Sequence, residues 1–284
     1  MTFRTRFAPS PTGPLHLGHA YSAILAHDMA MAEGGVFHLR IDDIDQSRAR
    51  REWETQIYDD LHWLGLTWPD PVWRQSERLE HYRSALQALW DHGLLFPCTC
   101  SRADIRAAAA APHEGAPLHG PDGIVYPGTC RPDTPPRGPM PDTALRLDIA
   151  RALAVLDTPL YFKETGRCPD GLNGNTTPKD MIQRVGDVAL ARPGMSASYH
   201  LSIVIDDADQ NITHVIRGQD LFAATQIHVL LQRLLGSPTP IYHHHHLIRD
   251  EAGKRLAKRD DARSLATYRD AGKTPSDIRA MVGL

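Results

Sequence analysis

At 284 residues the chain can bury one full hydrophobic core with room for an inserted subdomain, and 42% hydrophobic with 23% charged residues is the composition of a water-soluble globular protein. A formal net charge of −3 excludes nucleic-acid binding through bulk charge, so any such contact must come from a local basic patch. Four cysteines are too few for a disulfide scaffold and Met1-Thr-Phe-Arg-Thr-Arg has no apolar signal region, so a reduced, cytoplasmic setting without a membrane span is expected.

The first element is a strand, with Phe3, Thr5 and Phe7 alternating against Arg4 and Arg6. From Arg6 to His19 the chain reads Arg-Phe-Ala-Pro-Ser-Pro-Thr-Gly-Pro-Leu-His-Leu-Gly-His, and Leu17, Tyr21, Ile24, Leu25 and Asp28 then follow helical spacing. The stretch is a strand-to-helix junction stiffened by prolines, and His16 and His19 stand three apart at the helix start. Backbone N–H groups and the positive end of the helix dipole attract phosphate there, while Gly18 lets a base or ribose lie close to the backbone. Val36 to Ile41 reads as a second strand, alternating Phe37, Leu39 and Ile41 against His38 and Arg40, and it ends in Asp42-Asp43-Ile44-Asp45. Doubly wound sheets bind ligands at that edge, but Asp43 and Asp45 read as caps, Asp45 or Ser47 preceding a helix with Trp53, Ile57, Leu61 and Leu64. A third helix, with Leu79, Tyr82, Leu86, Leu89 and Trp90 on one face, starts after Ser76 and stops at Gly93.

Phe96-Pro97-Cys98-Thr99-Cys100 opens a segment of different character, Ala-rich over 107–111 and dense in Pro and Gly up to Pro141, within which lies Tyr126-Pro-Gly-Thr-Cys130. Three thiolates suit zinc and need a fourth ligand, for which chemistry alone nominates Cys168, or His113 and His119, ahead of a phenolate. Asp142 to Ile149 and Pro159 to Lys163 read as strands closing the insertion, with Asn173-Gly-Asn as a turn. Apolar runs return at Val188 to Arg192 and Tyr199 to Ile205, followed by Asp206-Asp207, a strand from His214 to Arg217, and a helix carrying Ile227, Leu230, Leu231 and Leu234. His243 to His246, flanked by Ile241-Tyr242 and Leu247-Ile248, reads as a strand whose histidines alternate between faces rather than as a metal tract. In Glu251-Ala-Gly-Lys254-Arg255-Leu256-Ala257-Lys258-Arg259 a basic cluster can set a point charge on a polyphosphate, and Thr274-Pro275 starts a last short helix.

The junction and the basic loop together resemble the two ATP-binding signatures of class I aminoacyl-tRNA synthetases. Ala8 and Ser10 within Arg-Phe-Ala-Pro-Ser-Pro-Thr-Gly are similar to the glutamyl branch, the glutaminyl branch carrying Pro and Glu there. Cys-x-Cys followed by Tyr-x-x-x-Cys resembles the zinc-binding insertion of the glutamyl-Q tRNA(Asp) synthetases, truncated paralogues of glutamyl-tRNA synthetase. With 21 residues following Arg263, the long helical anticodon reader of the larger enzymes is expected to be absent.

The resemblance implies an α/β fold, a Rossmann-like class I catalytic domain with a zinc-binding insertion and no anticodon-binding domain. Its first half would occupy 1–97, the insertion 98–187, the second half 188–248, and the signature loop with a short helical C-terminus 249–284. One structural Zn²⁺ per chain would sit on Cys98, Cys100, Tyr126 and Cys130, and ATP, entering with Mg²⁺, on His16, Gly18, His19 and Lys258. Glutamate would be held by Arg6, Phe7, Ala8, Pro9, Ser10, Asp42, Tyr199 and Arg217. Asp42 stands where the family has Glu and would take the substrate amine, while Arg6 or Arg217 would pair the γ-carboxylate, which the planar guanidinium fork matches. Ala257 replaces the family's usual Ser in the loop.

The reaction implied is activation of L-glutamate with ATP to glutamyl-adenylate without tRNA, then transfer of glutamate to the queuosine base of tRNA(Asp), by a monomer with no membrane partner. Three other readings share parts of the pattern. They are a truncated glutamyl-tRNA synthetase charging the 3′ end, a small-molecule nucleotidyltransferase or acid-amine ligase indifferent to tRNA, and a tRNA-binding module without activity.

Overall fold

Parallel strands cannot be joined by a tight turn, so each strand of the N-terminal half is followed by a helix that returns the chain across the sheet. In the computed structural model, which describes residues 2–110, 119–166, 176–248 and 263–284, β1 (Arg4–Phe7) leads to α1 (Leu17–Ala32), β2 (Val36–Ile41) to α2 (Arg51–Trp63), and β3 (Trp73–Arg74) to α3 (Leu79–Asp91). β2 pairs in parallel with both neighbours, Arg4 facing Val36 and Ile41 facing Arg74. The side of α1 nearest the sheet is built from Ala20, Ala23, Ala26 and Ala30, all fully buried, which lets its axis approach closely.

After β4 (Leu95–Pro97) come α4 (Arg102–Ala109), β5 (His119–Gly120), β6 (Gly123–Ile124), β7 (Leu145–Leu147), α5 (Ile149–Ala154) and a single turn, α6 (Pro178–Asp180), that widens into a π-turn over Met181–Val185. β8 (Ala189–Ala191) pairs antiparallel with β7, as β7 does with β4. This sheet therefore takes one strand from each of the segments 1–97, 98–187 and 188–248. α7 (Tyr199–Asp209), β9 (His214–Gly218), α8 (Thr225–Leu234), β10 (Ile241–His245), α9 (Leu265–Asp270) and α10 (Pro275–Val282) complete the chain.

β9 and β10 are parallel, and β9 lies beside β1, where Thr213 N donates to Arg4 O at 2.9 Å. The strands thus follow the order β10-β9-β1-β2-β3, and the chain winds outward in opposite directions from the β1/β9 seam. In a doubly wound sheet the crevice beyond the carboxyl ends of the two strands at such a reversal is where ligands bind. One core lies under α1 and includes Phe37, Ile57, Leu61, Leu265 and Ile278. A larger one joins α3, α7 and α8 to the insertion through Tyr82, Leu147, Leu190, Leu201 and Leu230. No helix among the described residues is long and apolar enough to cross a membrane.

Several local expectations are corrected. Neither Asp45 nor Ser47 caps α2, whose N-cap is Arg50 without a side-chain bond; Asp45 instead holds its own turn through Ser47 Oγ at 2.6 Å. Asp43 accepts from Ser76 N at 2.8 Å and Ser76 Oγ at 2.6 Å, tying the end of β2 to the start of the next crossover. Of Asp142 to Ile149 only Leu145–Leu147 is a strand, since Asp148 then accepts from Arg151 N at 3.0 Å and starts α5. Pro159 to Lys163 forms no strand. Its alternation is genuine, with Leu160 and Phe162 buried and Tyr161 63% exposed, but the extended backbone meets β10 only through the residues bordering one bridge, Glu164 to Tyr242. The basic loop bearing Lys254, Arg255, Lys258 and Arg259, together with His113, Cys168 and the Asn173-Gly-Asn turn, lies outside the described residues.

Candidate active site and metal centre

The carboxyl ends of β1 and β9 open into a cavity of about 350 Å³. Its walls carry Arg6, Phe7 and Ala8 from the end of β1, His16, Gly18 and His19 from the start of α1, and Asp42 from just beyond β2. Tyr199 and Arg217 face them, and His245, Leu247 and Ile248 follow from β10. Two of the expected residues do not line it. Pro9 is buried and serves through its carbonyl, which accepts from Asp42 N at 3.0 Å, while Ser10 is exposed and its carbonyl accepts from Thr12 N at 2.8 Å.

At one end of the cavity the helix start is closed by its own histidines. His16 is the N-cap of α1 and accepts from Gly18 N at Nδ1, 3.1 Å away, and His19 Nδ1 accepts from His16 N at 3.2 Å. An imidazole nitrogen that accepts from a backbone N–H bears no proton, so in both rings the proton is assigned to Nε2. The rings lie 3.9 Å apart between centroids. The arrangement supplies two neutral N–H donors beside a helix dipole, a setting suited to phosphate oxygens.

At the other end lies a buried charge network that the sequence alone did not reveal. Arg40, fully buried, donates from Nε to Asp42 Oδ1 at 2.8 Å and from Nη1 to Asp207 Oδ1 at 2.7 Å and Gln210 Oε1 at 3.1 Å. Arg6 Nε reaches the same Asp207 oxygen at 2.9 Å. Asp206 receives Gln75, Arg78 and Tyr82. Burial pushes the Asp207 carboxyl up, but Arg6 and Arg40 outweigh it and hold it below the usual range. For Asp42 burial wins with help from nearby Asp206, and despite Arg40 the carboxyl rises to about 6. Strand alternation had placed Arg40 on the polar side, and the visible clue was the tandem Asp206-Asp207 inside an apolar helix.

Arg217 is held differently. Its Nε donates to His244 Nε2 at 3.1 Å, Nη1 to His228 Nδ1 at 3.2 Å, and Nη2 to Thr225 Oγ1 at 2.8 Å and Leu221 O at 3.3 Å. All four partners are neutral, since burial drives both imidazoles below their ordinary value, His228 far below it. Nothing in the sequence singles out His228, and His244 reads there only as one of a strand's alternating histidines.

In the insertion Cys98, Cys100 and Cys130 bring their sulfurs within 4.8 Å of one another. Cys100 Sγ lies 3.4 Å from Cys130 Sγ, and the Tyr126 hydroxyl stands 3.6 Å from Cys98 Sγ and 3.7 Å from Cys100 Sγ. A tetrahedral zinc with ordinary bond lengths needs S···S and S···O edges of roughly 3.5–3.8 Å, close to these three distances. The Tyr126 hydroxyl brings the Cys130 thiol down to about 6 against the effect of burial, which favours the thiolate that a metal needs. Arg146 lies over the Tyr126 ring at 3.9 Å and donates to Cys98 Sγ at 3.3 Å, placing a positive charge beside an anionic ligand set. His119, in β5, is not part of the cluster.

A family model described as tRNA synthetases class I (E and Q), catalytic domain, matches residues 2–118 and 166–284. The glutamyl-Q tRNA(Asp) synthetase of Rhodobacter capsulatus is 62% identical over 99% of both chains. That of Symbiobacterium thermophilum is 40% identical over 96% of this chain and 83% of its own. Among solved structures, a glutamate tRNA ligase from Elizabethkingia meningosepticum in complex with its amino acid superposes with a TM-score of 0.77 at 26% identity, over all of this chain and 61% of that longer one.

Proposed function

The chain belongs to the class I tRNA synthetases of the E and Q type, with the glutamyl-Q tRNA(Asp) synthetases, and from that premise we propose that this ligase activates L-glutamate with ATP and passes it to the queuosine base of tRNA(Asp). One observation carries the substrate assignment. Glutamate bears one ammonium and two carboxylates, and the cavity offers two guanidiniums, Arg6 and Arg217, with two carboxylates, Asp42 beyond β2 and Asp220 after β9, of which Asp42 lies within electrostatic reach of Arg6.

In the first step an oxygen of the glutamate α-carboxylate attacks the α-phosphorus of ATP, a P–O bond forms, and pyrophosphate leaves. No covalent enzyme intermediate is required. Catalysis is positioning and charge stabilisation, with His16 and His19 donating from Nε2 to phosphate oxygens and Lys258 following the departing pyrophosphate. Asp42 takes the ammonium. Arg217 takes the γ-carboxylate, because its hydrogen-bond partners are neutral and leave its charge to the substrate, whereas the charge of Arg6 is offset by Asp207. In the second step a hydroxyl of the queuosine cyclopentene diol attacks the acyl carbon and AMP departs. The insertion holds a structural Zn²⁺ on Cys98, Cys100, Cys130 and Tyr126, which ties two loops of a segment with a small core of its own.

Two measurements test the reading. Pyrophosphate should exchange into ATP with glutamate and no tRNA; exchange driven by glutamine or aspartate in preference would refute the substrate. Radiolabelled glutamate should enter tRNA(Asp) containing queuosine and not a queuosine-free preparation with an intact 3′ end. Labelling of both, lost when the 3′ end is trimmed, would assign the activity to charging of the terminal ribose.

A further inference from the structure

Behind Arg217 a segment of the 98–187 insertion clamps onto β10. Tyr242 N donates to Lys163 O at 2.8 Å and Thr165 N to Tyr242 O at 2.9 Å, around the bridge between Glu164 and Tyr242. The approach is close enough that a Cβ on Gly166 would stand 2.2 Å from His244 O, so only glycine fits there. Glu164 lies between the two ranges that the family model matches.

The Glu164 side chain is fully committed. Oε1 accepts from the backbone N–H groups of Gly166 at 2.7 Å, His244 at 2.9 Å and Thr165 at 3.1 Å, and Oε2 lies 2.5 Å from His244 Nδ1. On the far side of the ring, His244 Nε2 receives Arg217 Nε at 3.1 Å. A guanidinium can only donate, so Nε2 must carry a lone pair, and the single proton of the neutral ring belongs on Nδ1, donated to Glu164. Burial pushes the Glu164 carboxyl up, but the bonds from His244 and from the backbone outweigh it and keep it ionised.

We infer that Glu164, acting through His244, is a positioning residue for Arg217: the carboxylate fixes the Nδ1–H tautomer of His244, and that tautomer alone lets the ring accept the guanidinium that meets the substrate carboxylate. The inference rests on the reading of Arg217 as the arm that binds glutamate. A second line of imidazoles supports the same guanidinium on Nη1. His228 accepts there, lies 3.0 Å from His200 Nδ1, and His200 Nε2 lies 3.4 Å from Asp122. Each ring in that line is likewise required to donate away from the arginine.

Glu164→Gln is the informative variant. Three backbone N–H groups claim the position of Oε1, so the amide oxygen stays with them and the NH2 faces His244 Nδ1. The ring must then move its proton to Nε2, setting N–H against N–H at Arg217, as occurs when an amide replaces the carboxylate that orients a catalytic histidine. Imidazole ¹⁵N spectra are expected to show Nδ1–H at His244 in the wild type and Nε2–H in E164Q. In glutamate-dependent pyrophosphate exchange E164Q should raise the KM for glutamate about tenfold or more, the effect of losing a hydrogen bond to a charged group, with the KM for ATP within about twofold. Glu164→Asp, which keeps a carboxylate, should retain the wild-type tautomer and recover most of the glutamate affinity. An Nε2–H ring in the wild type, or a tautomer that E164Q leaves unchanged, overturns the inference even if exchange is absent and the functional reading has failed. Equal loss of affinity for glutamate and ATP overturns it as well, because a general loosening of the fold would not single out one substrate.

Discussion

Arg40 Nη1 lies 2.7 Å from Asp207 Oδ1, with the arginine fully out of solvent and the carboxylate nearly so. The same oxygen receives Arg6, which lines the cavity, so a residue outside the cavity sets the place of one in its wall. Breaking a buried ion pair from one side is costly because the abandoned charge stays desolvated, typically about 3–5 kcal/mol. Arg40→Met should cost about that much in denaturant unfolding, since it strands Asp42 and leaves Asp207 with Arg6 alone. Loss below about 1 kcal/mol would mean that the network contributes little and that the carboxylates simply protonate.

Asp42 sets a pH dependence. Burial holds its carboxyl at about 6 against an ordinary 3.8, so it is ionised above that value and protonated below it. Only the carboxylate can take an ammonium, and kcat/KM reports the free enzyme. The profile of kcat/KM for glutamate should therefore be flat above neutrality and fall as pH drops through about 6. Asp42→Asn should lie lower throughout and lack that fall; a wild-type profile flat down to pH ~5 would remove Asp42 from the amine site. Linkage runs the other way for folding. The raised value means that this group's contribution to stability is present below 3.8 and lost as pH rises through about 6, so the ionised form is held at a cost to the fold.

The parts of the site that could be read from sequence were those written in consecutive residues. The β1–α1 junction, the carboxylate after β2 and the Cys-x-Cys with Tyr-x-x-x-Cys pattern each carry their chemistry within a few positions, and all three lie at cavity or cluster walls. Arg40 escaped because period-two alternation assumes one wet face, whereas β2 is flanked by strands on both edges and has both faces covered. Glu164 and His244 escaped because their relation spans 80 positions and depends on a backbone clamp that no local pattern announces. The same limit explains Pro159 to Lys163, where Leu160 and Phe162 are buried and Tyr161 exposed as in a strand, but no local pattern says whether a partner strand exists.

Gly18 is constrained by its neighbour rather than by its backbone angles. A Cβ there would stand 3.0 Å from His16 Cε1 and 3.2 Å from Nδ1, so the ring that caps α1 must shift. Gly18→Ala should therefore disturb the cap and the orientation of the first imidazole together. Loss of a cap costs about 1 kcal/mol, and a drop of that size in stability is expected alongside a several-fold higher KM for ATP with the KM for glutamate little changed. If the KM for ATP is unmoved, the His16 ring does not serve the nucleotide.

The last prediction concerns the metal. The three sulfurs and the Tyr126 hydroxyl already describe most of a tetrahedron, yet the chemical preference for soft ligands would have put a fourth thiol or an imidazole ahead of a phenolate. Tyr126 also accepts from Cys130 N at 2.7 Å and Arg146 covers its ring, while burial and the neighbouring thiols push the phenol well up, so an ion is needed to draw off its proton. A closed structural site should retain about one zinc per chain through purification without chelator. Because metal binding and local folding are coupled, stripping the ion or making Cys98→Ser should lower Tm by ~5–10 °C. The distinguishing pair is Tyr126→Phe, which should release zinc to a chromogenic chelator far faster than the wild type, and Cys168→Ser, which should not. Should the pattern reverse, the phenol is a hydrogen-bonding neighbour of the thiols and the fourth ligand is the cysteine.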